Sequence, residues 1–262
     1  MAENPYAAPR THVEDIPESL PDGQFIPDGR GVPAGNGWRW IADAWRFMGP
    51  QRWTFIGVVL LFWILILAAS FVPVLGGIAV TLFSPVISGG IILGCDAVRR
   101  GEQLEVAYMF AGFQRHFGKL LALGAISFGL GILLGIVILA IVGVTLGGAL
   151  FTGAELTPEQ IVALGLPMVL AVLVALAISI PIYMFLWFAA PLIVLADKEI
   201  GAALGMSFQG CLKNILPFLV WSAMVVVLAI PATIPIFLGW LLLGPVLTVS
   251  VYTAYRDIFY EA

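Results

Sequence analysis

Six charged residues stand where apolar runs end: Asp96, Arg99, Arg100, Asp197, Arg256 and Asp257. Carboxylates at that position can carry protons or hold cations, and guanidinium groups can hold phosphates or carboxylates. Grouped at one end of a helical bundle, the six could ring a mouth at the cytoplasmic face. Solvated helix ends that pair with one another are the plainer reading, with Asp96 on Arg99 or Arg100. No charge falls deep inside an apolar run, which argues against proton or sodium coupling.

The remaining chemistry is sparse. His12 and His116 have no second ligand at metal spacing, so no metal is expected. No nucleophile elbow, phosphate-binding loop or dinucleotide fingerprint occurs, so no catalytic residue and no cofactor is expected. Cys95 and Cys211 both fall on the same expected side of the membrane, the cytosolic one, where a structural disulfide is not expected. Ser84, Ser88, Ser127, Ser179, Ser222, Thr233, Thr248 and Ser250 lie within apolar runs, where hydroxyls usually bond their own helix backbone. Gly131/Gly135 and Gly143/Gly147 have small-xxx-small spacing and fit helix packing, within the chain or between copies. Tyr183, Tyr252 and Tyr255 could line a cavity or form a boundary belt.

The elements that carry these residues follow from composition. Of 262 residues, 61% are hydrophobic and 11% charged, against about 25% charged in soluble domains. No charge occurs between Arg52 and Asp96, Lys119 and Glu155, Glu159 and Asp197, or Lys213 and Arg256. A crossing takes about 20 apolar residues. Backbone groups in lipid must be satisfied internally, and runs without polar alternation exclude a barrel. The 43 residues from Trp53 to Cys95 would extend roughly 65 Å as helix and must fold back. Pro73, Gly76 and Gly77 mark that turn, and Pro231 to Pro235 mark the last one. The reading is an all-α polytopic transmembrane bundle with about six membrane helices in three hairpins. A short interfacial amphipathic helix precedes each hairpin.

The first such helix covers about residues 38–48. Trp38, Ile41, Trp45 and Met48 share one face, Arg39, Asp43 and Arg46 the other, and Asn36 can cap its start. Trp38, Trp40, Trp45 and Trp53 are the expected interfacial anchors, because indole favours the headgroup layer. Residues 1–36 hold six prolines and six acidic residues and read as a disordered cytosolic tail with no cleavable leader. Asn4, Pro5 and Tyr6 could begin a short motif for a cytosolic or membrane partner, or a solvated leader.

All twelve basic residues fall in the tails or in the second and fourth loops. That places both termini in the cytoplasm. The basic residues orient the chain and leave no nucleic-acid footprint.

Internal similarity suggests three units, about 37–100, 101–197 and 198–262, together forming one transmembrane domain, 37–262. Pro181/Pro191 and Pro235/Pro245 are both ten apart, and Ser84-Pro85-Val86-Ile87 repeats the second half. Phe110-Ala111-Gly112 matches Phe208-Gln209-Gly210 at an offset of 98. The middle unit carries 44 extra residues around 136–180. Two long helices, the second kinked at Pro181, or two further crossings would accommodate them. Thr157-Pro158-Glu159-Gln160 reads as a helix start.

Gly37-Trp38-Arg39-Trp40-Ile41, Ser84-Pro85, Arg100-Gly101-Glu102 and Phe110-Ala111-Gly112-Phe113 resemble a proteobacterial family of uncharacterised integral membrane proteins. The resemblance covers about residues 37–260. That family is distantly similar to the membrane domain attached to some bacterial glycerophosphodiester phosphodiesterases. It implies an inner membrane and no catalytic residues, since the phosphodiesterase domain is absent here. Three functions stay open. The first is non-enzymatic recruitment, assembly or regulation in the envelope. The second is a transporter or channel for a neutral or lipid-like molecule, and the third, with only isolated candidate groups, is a membrane-embedded enzyme. Oligomeric state is not legible.

Overall fold

A computed structural model describes residues 23–145 and 165–261. The Asn4-Pro5-Tyr6 motif, the Thr157 helix start and the question of six against eight crossings fall outside these residues.

Among the described residues the chain is all-helical apart from one isolated bridge. Helix α1 (Asn36–Phe47) leads through a short 3-10 turn into α2 (Arg52–Ser70), which pairs with α3 (Leu75–Arg99). A 3-10 turn at Val106–Phe110 and a four-residue α4 (Ala111–Gln114) lead to α5 (Phe117–Thr145). Then come α6 (Gly165–Leu186), α7 (Ala189–Ala196), α8 (Ile200–Lys213), α9 (Ile215–Thr233) and α10 (Trp240–Phe259). Five described stretches are long and apolar enough to cross a membrane, carried on α2, α3, α5, the α6–α7 pair and α9. The chain is a polytopic helical membrane protein. Helix α10 is more polar along its length, and Val249, Ser250, Tyr252 and Tyr255 on it are buried. Other helices surround it, so it need not be as apolar as a helix that faces lipid.

The two described hairpin turns fall where proline and glycine mark them, at 71–74 and 234–239. Gly76 and Gly239 do the same work in each. A Cβ on Gly76 would lie 1.8 Å from the Ala69 carbonyl oxygen, and one on Gly239 2.4 Å from the Ala232 Cα. Only glycine lets the returning helix start this close to the outgoing one.

The amphipathic elements pack in a cyclic order. Helix α1 lies on α9 and α10, residues 106–114 lie on α3, and α8 lies on α6 and α7. Each therefore covers the hairpin of the preceding unit, the first closing the ring on the third. Pro85 and Pro245 both stand 14 residues before the ends of their helices, but Pro191 stands only five before the end of α7. The first and third hairpins thus match in register, and the middle one is displaced.

Five expectations change. Helix α6 runs unbroken through Pro181 and breaks at Trp187–Phe188. Pro191 has no N–H to return to the Trp187 carbonyl, and the Ser207 hydroxyl enters the gap. It accepts from the Phe188 N–H at 2.9 Å and donates to the Met184 carbonyl at 2.7 Å. A side chain inserted into the helical ladder is a sufficient cause of the bend.

The buried face of α1 is Gly37, Trp40, Ile41 and Ala44. Trp40, 1% exposed, is a core residue and not an interfacial anchor. Trp38, Trp45 and Trp53 remain 44, 40 and 80% exposed.

Residues 23–35 do not belong to a free tail. Phe25 bridges to Tyr260, the Ile26 N–H donates to the Phe259 carbonyl at 2.8 Å, and the Arg30 N–H donates to the Ile258 carbonyl at 2.8 Å. Asn36 caps nothing and instead donates to Asp257 at 2.8 Å.

Gly131 and Gly135 meet no other helix among the described residues. The close approach of α3 and α5 runs through Gly124, where a Cβ would lie 2.1 Å from the Leu82 carbonyl oxygen.

Candidate functional site

The six boundary charges share one end of the bundle but form three separate groups. Asp96, 8% exposed near the end of α3, is the hub of the first. It pairs with Arg100 and with Arg99, the latter at 3.1 Å, and accepts a hydrogen bond from the Tyr252 hydroxyl at 3.1 Å. This joins α3 to α10. Arg100 continues outward to Glu102 at 3.2 Å, which also accepts from the Tyr108 hydroxyl at 2.8 Å. Those two contacts, the tyrosine first, hold the Glu102 carboxyl below its ordinary value.

Asp257 is the hub of the second group. It accepts from Asn36 and from the Trp40 indole N–H, both at 2.8 Å, and pairs with Arg30 at 3.1 Å. One carboxylate thereby ties the N-terminal strap (residues 23–35), α1 and α10 together. Arg256, beside it, stacks on the Tyr260 ring at 3.8 Å and does not join the Asp257 cluster. Asn214, fully buried, holds the strap from the other side. It accepts from the Val32 N–H and donates to the Arg30 carbonyl, both at 2.8 Å.

The third group is exposed. Asp197 pairs with Lys119 at 3.0 Å, which also reaches Glu199 at 2.9 Å. The Lys119 ammonium holds the Asp197 carboxyl below its usual range. His116 Nδ1 lies 3.4 Å from Asp197. Asp96, Asp257 and Asp197 clasp separate elements together, and among the described residues the six charges do not form one ring. An aromatic core packs beside the hubs: Phe188, Tyr255 and Phe259 are wholly buried and meet in tilted and edge-on contacts. No group of three metal-ligating side chains occurs among the described residues.

A polar hollow of about 620 Å³ lies at this charged end, beside Arg100, Glu102 and Arg115, and an apolar one lies on the other side of the floor. A cavity of about 410 Å³ opens where α2, α3, α5, the α6–α7 break and α10 meet, within the ~300–1,000 Å³ range of small-molecule sites. Pro85 and Pro191 line it, together with four hydroxyl residues, Ser84, Ser88, Ser127 and Thr248. Each hydroxyl donates to a carbonyl of its own helix. They therefore offer lone pairs to the cavity and no free proton. Ile92 and Val251 are its lowest residues, one turn or less above Asp96 and Tyr252.

Trp187 stands at the helix break, between this cavity and a second of about 400 Å³ bounded by α6, α8 and α9. Its ring makes edge contacts with Phe218 and Trp221, 5.6 and 5.4 Å between centroids. Its indole N–H is buried and has no partner among the described residues. A buried donor without an acceptor costs about 1–3 kcal/mol, which a ligand oxygen would recover. No protein-family model, curated protein or solved structure matches this chain. The candidate site therefore stands on its own geometry.

Sequence reasoning named the boundary charges and the self-bonded hydroxyls. It did not single out Trp187, Ser207 or Asn214. Ser207 was legible in part, as a polar residue on the apolar side of an amphipathic helix.

Proposed function

We propose that this chain is a non-enzymatic integral protein of a bacterial inner membrane that binds, and passes between leaflets, a neutral lipid-like molecule. In this reading it has six crossings, α10 the last, and both termini in the cytoplasm. The clustering of the basic residues at the strap-bearing end supports that orientation. The observation that carries the functional reading is the central cavity: apolar walls, hydroxyl lone pairs and one unsatisfied indole donor. Such a lining suits an uncharged amphiphile with an acceptor oxygen and rejects an ion, which would have no counter-charge there. The charge clasp under the cavity floor favours entry from the lipid side.

Recruitment, the first reading from sequence, keeps one supporting observation. The strap of residues 23–35 is fixed to the end of α10, so whatever precedes it departs from a fixed point at the basic end.

Both readings meet in one experiment, mass spectrometry of full-length protein purified in native-lipid nanodiscs. The cavity reading expects a defined neutral lipid that Ser88→Trp, which fills the cavity, displaces, and that deletion of residues 1–22 leaves in place. Loss of protein partners on that deletion, with no retained lipid in either form, would replace transport by recruitment.

A further inference from the structure

A third apolar space, a slot of about 510 Å³, lies apart from the central cavity, between α1 and the α9–α10 hairpin. Trp38, Ile41 and Trp45 form one side of it, and Leu228, Pro231 and Val246 face them. Arg46 stands at its edge. The Arg52 guanidinium, on the first residue of α2, lies over the Trp45 ring at 4.0 Å. Its Nε is buried without a hydrogen-bond partner among the described residues. No described carboxylate pairs with Arg52. Arg46 pairs only with Asp43, at 3.0 Å, and both are largely exposed.

Charge supplies the argument for an occupant. From residue 31 to residue 95 the only acidic residue is Asp43, against Arg39, Arg46 and Arg52. The slot is thus an apolar groove with an excess of positive charge at one edge, Arg52 without a described carboxylate beside the Arg46–Asp43 pair. It sits where the chain passes from a polar helix into its first long apolar one. Arginine matches a phosphate with paired donors, and indole prefers the headgroup layer in which phosphates lie.

We propose that this notch binds one anionic glycerophospholipid of the bilayer. An acyl chain lies in the slot and the phosphate lies on Arg52 and Arg46. The site differs from the central cavity in position and in the charge of its ligand, so either can fail without the other.

The test is lipid retention by the full-length chain. Nanodiscs of phosphatidylcholine with a minor share of phosphatidylglycerol are dissolved in mild detergent, and bound lipid is read by native mass spectrometry. The wild type should keep one phosphatidylglycerol in preference to phosphatidylcholine. Arg46→Gln and Arg52→Gln should each lower that retention about fivefold, and the pair roughly thirtyfold. Ala42→Trp, which narrows the slot and leaves every charge, should lower it as well. Asp43→Asn frees Arg46 and should raise retention about fivefold; this gain cannot come from misfolding. Equal retention of the two lipids would overturn the proposal, as would no gain in Asp43→Asn or no loss in the double arginine variant. Displacement of the lipid by excess inorganic phosphate would assign the arginines to a free anion and also overturn it.

Discussion

Replacing Asp96 by alanine is expected to cost the fold about 3–5 kcal/mol. The carboxylate is nearly buried and faces Arg99, Arg100 and the Tyr252 hydroxyl. Its removal takes a carboxylate from the largely buried Arg99 guanidinium and an acceptor from the buried Tyr252 hydroxyl, while Arg100 keeps Glu102. Asp96→Asn keeps the shape and can still meet Tyr252, but lacks the charge, so it should fall between alanine and wild type. Tyr252→Phe removes one hydrogen bond to a charged group, about 1.5–3 kcal/mol. Thermal unfolding in detergent, followed by tryptophan fluorescence, reads all three. A double-mutant cycle on Asp96 and Tyr252 should show coupling, because the two are in contact. Asp96→Asn melting with the wild type would mean that the hub is a solvated surface group and that the floor of the cavity is open.

Ser207→Ala is the second large effect. Its hydroxyl is the partner of both the Phe188 N–H and the Met184 carbonyl. Removing it strands the buried Phe188 N–H, at about 1–3 kcal/mol, and leaves the half-buried Met184 carbonyl without that donor. The segment can recover the loss only by straightening α6 onto α7, which Pro191 resists because it has no N–H to donate. The expected result is a lower melting temperature together with a changed Trp187 emission, since that indole stands at the break. A stable Ser207→Ala with unaltered emission would show that Pro191 alone sets the bend.

Much of this architecture was legible because bilayer physics constrains sequence strongly. The charge-free runs, the turns at Pro73 to Gly77 and Pro231 to Pro235, and the hydroxyls bonded to their own helices all follow from local rules. What escaped depends on contacts distant in sequence. Gly37, Trp40, Ile41 and Ala44 have helical spacing, but the larger Trp38 and Trp45 draw attention to the neighbouring face. Pro181 looked like the kink because proline is the commonest local cause. The actual break needs Pro191 and a serine 16 residues further on. Residues 23–35 have the composition of a disordered segment. They are held by backbone hydrogen bonds to the end of α10 and by the buried amide of Asn214, neither visible in composition. The central cavity was not legible, since an indole without a partner has no sequence signal.

In the proposed function the cavity opens to lipid and is closed toward the strap-bearing end. Thiol accessibility of Ser88→Cys tests it most directly. The native thiols are a quiet background: Cys95 and Cys211 are buried, and burial pushes the Cys211 thiol up to about 12. In reconstituted membranes the new thiol should react with an apolar maleimide delivered through the lipid. It should resist a charged, impermeant reagent applied at the strap-bearing end. Rapid labelling by the charged reagent would mean a continuous aqueous path past Asp96 and Tyr252, which contradicts a closed floor, and labelling by neither reagent would mean that no accessible cavity exists.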